Sequence, residues 1–205
     1  MNKKIQSQKS AFSKVFERII FVSLPVMLAG MMSGQALGCS GSAGTCSIQQ
    51  EKRMAQRSYK VVLRGPVDSL VVYKSKREMA AYSKGHKAKT YIVSLGATPE
   101  GRKRVQGDNK TPEGVYYIHA KNPNSSYHKN LGISYPNAAD RQYAQAHKLN
   151  TGGDVKIHGL PNRPQYKPEA YLYSDWTWGC IAISNEEIDE LYRFVQVGTP
   201  IVILP

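Results

Sequence analysis

Apolar positions recur along the chain in short runs rich in Val, Ile and Tyr. These are YKVVLRG from Tyr59, SLVVYKS from Ser69, KTYIVSLG from Lys89, GVYYIHAK from Gly114, DVKIHG from Asp154 and PIVILP from Pro200. Runs of this length and composition, bounded by Gly and Pro, predict strands. The stretches between them, RGPVDS, ATPEGRKRVQGDNKTPEG and PNRPQYKP, have turn chemistry. Helical spacing is confined to KREMAAYSKG at 76–85, AADRQYAQAHK at 138–148 and NEEIDELYRFV at 185–195. The last is the clearest. It sets Ile188, Leu191 and Val195 on one side, acids in the first turn and Arg193 near the end, with Ser184 and Asn185 placed to cap it. Many strands with few helices predict a mainly β domain, a sandwich or barrel with a few short helices attached. No internal repeat is visible.

The first 38 residues follow a different pattern. Lys3, Lys4, Lys9, Lys14 and Arg18 precede an apolar stretch from Ile19 to Met32, and Ala36-Leu37-Gly38 offers small residues where a signal peptidase reads. Residues 1–38 are therefore expected to be a secretory signal peptide, too short for a stable membrane span. Cleavage after Gly38 would leave Cys39 at the new N-terminus, as in a lipid-anchored protein; the alternative is ordinary small-x-small cleavage, with Cys39 free to pair with Cys46. Residues 39–58, CSGSAGTCSIQQEKRMAQRS, have the composition of a tether, and residues 59–205 form the folded domain.

Charge narrows the partners. The net charge is +13, to which the leader's five basic residues and Glu17 contribute about +4, leaving about +9 beyond it. An exported basic chain favours an acidic wall polymer or anionic membrane surface over nucleic acid.

Cys180 has no obvious disulfide partner and stands between Gly179 and a run leading into the last helix. It is either a packed structural cysteine or a nucleophile, and a nucleophilic thiol needs a base. Of the five histidines, His158 ends the run DVKIHG, on the face it shares with Lys156 and opposite Val155 and Ile157. His128, in NSSYHKNLGISYP, is the next candidate. Metal spacing is absent, since no two histidines stand three to five apart. GDNKTPEG has Asn109 where a P-loop needs glycine, and no G-x-S-x-G occurs.

HGLP at 158–161 followed by TWGCIAISN resembles the L,D-transpeptidase catalytic domain (YkuD type) of bacterial wall enzymes, whose pattern is His-Gly, a variable stretch, then Ser/Thr-x-Gly-Cys. VSLGATPEGRKRVQGDNKTPEGVYYI, YHKNLGISYPNAADR and GGDVKIHG extend the likeness over Tyr59 to Pro205. The resemblance implies that Cys180 attacks a stem-peptide carbonyl at diaminopimelate and expels the terminal D-alanine, with His158 as base. It further implies that the Gly159 carbonyl orients the His158 ring, that backbone amides around Gly179 and Cys180 hold the oxyanion, and that Thr177 stands beside that hole. Trp176 and Trp178 either wall the cleft or simply pack. No cofactor or metal is implied. An amine acceptor would give a 3–3 crosslink or a lipoprotein attachment. Water would give an L,D-carboxypeptidase or an amidase releasing wall-bound lipoprotein. A non-catalytic wall-binding lipoprotein of the same fold is the remaining alternative. Many members carry arginine two residues after the cysteine; here Ala182 stands in a GCIA form, and the substrate contact made by that arginine does not carry over.

Overall fold

The computed structural model describes residues 61–205. The expected signal peptide and tether, with Cys39 and Cys46, lie outside the described residues. The described elements run β1 (Ser69–Tyr73), a 3-10 turn (Lys74–Lys76), β2 (Glu78–Ser83), β3 (His86–Ile92), β4 (Gly114–Ser125), β5 (His128–Ile133), α1 (Ala138–Ala146), β6 (Lys156–His158), α2 (Pro168–Leu172), β7 (Ile181–Ala182), α3 (Asn185–Phe194) and β8 (Pro200–Leu204).

The eight strands form one sheet in the order β3-β2-β1-β8-β4-β5-β6-β7. β1 to β3 are an antiparallel meander, and β8 joins them to β4 by pairing parallel with β1 and antiparallel with β4. The twelve-residue β4 is long enough to pair with β8 through its first part and with β5 through its second. The two ends of the sheet then meet. Ser94, just past β3, bridges Ala182 of β7, the two exchanging backbone hydrogen bonds of 2.9 and 2.8 Å. The mainly β architecture is thus a curled sheet that closes on itself, which leaves little open edge.

Inward positions fill the interior. Leu70, Val72, Met79, Tyr91, Tyr116, Ile118, Leu131, Ile157, Ile181 and Ile201 are buried, and α3 adds Ile188 and Leu191. Burying side chains of this size contributes roughly 1.5–3 kcal/mol each before conformational entropy is charged against it. The α3 start is fixed as its sequence predicts: Ser184 Oγ accepts from Glu187 N at 3.2 Å and the Glu187 carboxylate accepts from Ser184 N at 3.3 Å, a reciprocal capping box.

Two expectations are corrected. KREMAAYSKG is strand β2, not a helix: Met79, Ala80 and Ala81 are all buried, and the segment is hydrogen-bonded between β1 and β3. Pairing on both sides outweighs the helix preference of Met and Ala. The described part of YKVVLRG is not a strand either. Val61 and Val62 are exposed, and Leu63 turns inward with its N–H donating to Glu190 on α3 at 2.6 Å. β5 and α2 were not predicted, because HKNLGI and PEAYL carry little of either periodicity.

Candidate active site

β6 and β7 run parallel, with Ile157 opposite Ile181 and His158 opposite Ala182. The alternation of the pleat sends Ile157 and Ile181 into the core and sets Lys156, His158, Ala182 and the approach to Cys180 on the other face. Cys180 and His158 both line one open cavity of about 590 Å³, whose further walls include Asn122, Ser125, Asn130, Asp154 and Trp178.

His158 is 5% exposed. Its Nδ1 lies 2.7 Å from the carbonyl oxygen of Gly159. A carbonyl only accepts, so Nδ1 carries the proton and the neutral ring presents a bare Nε2 lone pair. Tyr127 packs on the ring at 4.6 Å between centroids and Trp176 meets it edge-on at 5.7 Å. Trp176 is itself held by Nε1 donating to Tyr171 O at 2.9 Å. This aromatic cover keeps water from the imidazole. Burial pushes the His158 pKa down to about 4; the Gly159 hydrogen bond works the other way, and the Lys156 charge adds to the lowering.

Cys180 is half-buried, and its thiol donates to Asp154 O at 3.8 Å. Burial pushes its pKa up. The Lys156 backbone N–H, the Lys156 charge and Lys103 oppose that rise, and Asp154 adds to it. At neutral pH Cys180 is therefore a thiol and His158 a neutral imidazole, not a thiolate and an imidazolium.

The turn before the cysteine is built by Thr177 and Gly179. Thr177 is buried; its Oγ1 donates to Cys180 O at 2.7 Å and accepts from Gly179 N at 3.1 Å. Its backbone is clamped by Thr177 N to Leu95 O at 3.1 Å and Ala97 N to Thr177 O at 2.9 Å. Gly179 has φ +123°, and a Cβ there would lie 2.6 Å from the Lys110 carbonyl oxygen. Only glycine suits that conformation and that approach. Lys110 belongs to the 97–113 loop, which is braced by the buried Lys103 bonded to Asp108 at 2.7 Å. Gly159 is also confined, since a Cβ would sit 2.6 Å from Asn185 Oδ1, the atom that accepts from Leu160 N at 2.9 Å.

The structure therefore gathers Cys180, His158, Gly159, Thr177, Gly179, Trp176 and Trp178 around one end of the β6–β7 pair. Trp178 is 85% exposed at the cavity mouth, whereas Trp176 packs against His158. His128 lies elsewhere: its Nε2 is 2.8 Å from Asp189 on α3, and it does not line the cavity. Tyr127, Lys103 and Lys156 were not singled out by the sequence. Their signals are weak there, because each acts through a contact between distant segments.

No three His, Cys, Asp or Glu side chains among the described residues are grouped to hold a metal ion. Comparison with known proteins agrees with the fold. YafK of Escherichia coli (strain K12), a candidate L,D-transpeptidase, is 28% identical over 163 residues, covering 77% of this chain and 58% of YafK. Among solved structures, Pgp2, the helical cell shape determining protein of Campylobacter jejuni, is 25% identical with a TM-score of 0.51, over 76% of this chain and 55% of Pgp2. The chain thus spans little more than half the length of these relatives. The model of the L,D-transpeptidase catalytic domain (YkuD) matches residues 68–203. With that match over most of its length, the chain belongs to the YkuD L,D-transpeptidase family, whose members modify peptidoglycan.

Proposed function

We propose that the protein is a cysteine-dependent L,D-transpeptidase of the cell envelope, acting on peptidoglycan stem peptides through a thioester on Cys180. The observation that carries this reading is the shared cavity: Cys180 and His158 line it together, and the Gly159 carbonyl holds the ring so that Nε2 is the free acceptor. Nε2 takes the thiol proton as sulfur attacks the scissile carbonyl, and returns it to the departing amine. Because the resting pair is neutral, proton transfer accompanies attack. The Gly179 amide is occupied by Thr177 Oγ1, so we assign the developing oxyanion to the Cys180 amide. An amine acceptor then resolves the thioester as a 3–3 crosslink or a lipoprotein attachment. Export through the 1–38 leader, with or without acylation at Cys39, places the enzyme outside the cytoplasm, and the kinship with Pgp2 extends the proposal to cell shape.

The test is incubation of the purified protein with disaccharide-tetrapeptide muropeptides. Dimers establish transfer; trimmed monomers alone replace it with hydrolysis. Cys180→Ala abolishes turnover while the fold persists, and unchanged product formation by that variant overturns the nucleophile assignment. A carbapenem adduct at Cys180, read by mass spectrometry, separates the enzyme from a non-catalytic wall-binding protein.

A further inference from the structure

Lys156 is the one cationic side chain lining the cavity among the described residues. The register that sets Ile157 opposite Ile181 places Lys156 beside Cys180 at the preceding position. Its charge opposes the rise of the Cys180 pKa and adds to the lowering of that of His158. Lys156 thus neighbours the nucleophile in the sheet and lines the same cavity as Cys180 and His158. Its partner is the Asp154 carboxylate, 2.7 Å away, whose side chain is 81% exposed. A pair so open to water is worth only about 0–1 kcal/mol and exchanges readily for another carboxylate. Ala182, across from His158, brings no charge. Asn122, Ser125 and Asn130 also line the cavity; they can hydrogen-bond but carry no charge.

We propose that Lys156 is a specificity-determining residue that receives a carboxylate of the acyl-donor peptide, with Asp154 holding the ammonium in the cavity until the substrate carboxylate displaces it. The proposal rests on Cys180 being the nucleophile of the reading above and adds the charge that the donor must carry. Lysine acts here as a point charge, so arginine can substitute for it in attraction.

The experiment compares alkylation of Cys180 by iodoacetate and by iodoacetamide. In both, the sulfur–carbon bond forms as iodide leaves, and both use the same thiolate. The ratio of their rates therefore cancels thiol pKa and accessibility and reports the local charge that meets an incoming carboxylate. In the wild-type protein the ratio exceeds that of a small free thiol and falls as salt is added. Lys156→Gln lowers it about fivefold, as expected for losing a nearby unit charge in a partly solvated cleft. Lys156→Arg restores it, and Lys87→Gln, which removes an exposed charge on β3, leaves it near the wild-type value. A salt-independent wild-type ratio, or equal ratios for Lys156→Gln and Lys87→Gln, overturns the proposal without reliance on any single variant folding. With stem-peptide donors, Lys156→Gln raises KM for the carboxylate form and not for the carboxamide form. If the wild-type protein turns over neither donor, the transpeptidase reading fails while the alkylation ratio still decides the role of Lys156.

Discussion

Nδ1 of His158 donates to the carbonyl of the next residue, Gly159, at 2.7 Å. This contact does the orienting that a carboxylate does in a serine triad, without placing a negative charge beside the ring. The difference has an electrostatic consequence. A carboxylate would stabilise the imidazolium, whereas here aromatic burial dominates and the ring stays neutral well below pH 6.

That neutrality is testable through stability. The folded His158 pKa, about 4, lies below the ordinary 6.5 of the unfolded chain. Between those values the unfolded state binds more protons, so stability is fully retained above about pH 6.5 and is lost as pH falls toward 4. The loss amounts to about 3 kcal/mol over the window. Urea unfolding measured from pH 7 to pH 4 should show this slope in the wild-type protein and a flatter one in His158→Gln. Parallel curves for the two proteins would mean that the ring is not held neutral. Activity should keep its acid limb near pH 4 instead of the usual histidine range.

The turn at Gly179 gives a sharper structural prediction. Gly179 and Gly198 both have positive φ, +123° and +97°. An added Cβ meets the Lys110 carbonyl at 2.6 Å at the first and nothing within 4 Å at the second. Gly198→Ala therefore incurs backbone strain alone, about 1–3 kcal/mol, and keeps turnover. Gly179→Ala adds a collision with backbone that cannot yield cheaply and displaces the Cys180 amide. Its turnover should fall at least about 100-fold, the order expected when an oxyanion donor is lost. Thermal melts and muropeptide kinetics on the pair separate strain from misplacement; equal activity of the two variants would remove Gly179 from the site.

The sequence discloses candidates for the chemistry more readily than the scaffolding around them. His158 and Cys180 are singled out by the resemblance of HGLP and TWGCIAISN to the family pattern; alternation in DVKIHG and the glycine before the thiol alone leave Cys180 either a packed cysteine or a nucleophile. The α3 boundary is legible because a capping box is a local signal. β2 is not, since Met79, Ala80 and Ala81 become strand only once β1 and β3 flank them. Tyr127 is not legible for a related reason. Its packing on His158 depends on β5 pairing beside β6, a contact that no nearby residue encodes. His128 ranks behind His158 in one dimension, and its 2.8 Å contact with Asp189 on α3 keeps it off the cavity lining.

The loop behind the turn supplies the last prediction. Asp108 accepts from Lys103 Nζ at 2.7 Å and from the amides of Arg104, Val105 and Lys110 at 2.8, 3.1 and 3.1 Å. Burial pushes its carboxyl pKa up, but these donors together hold it below the usual carboxylate range. Lys103 is buried at 4% side-chain exposure, so neutralising Asp108 leaves its ammonium in a dry setting without that counter-charge, held by the neutral Val105 carbonyl at 3.2 Å. Asp108→Asn should cost about 3–5 kcal/mol, as breaking a buried pair does. The same change loosens Lys110, whose carbonyl packs on Gly179, so turnover should drop together with stability. Adding Lys103→Met to Asp108→Asn removes the stranded charge, and the double variant should recover part of the lost stability. It should recover less of the activity, because the amides of Arg104, Val105 and Lys110 still lack their carboxylate. Denaturant midpoints and turnover for the wild type, both single variants and the double variant complete the cycle. Additive losses would show that Lys103 and Asp108 do not act as a pair.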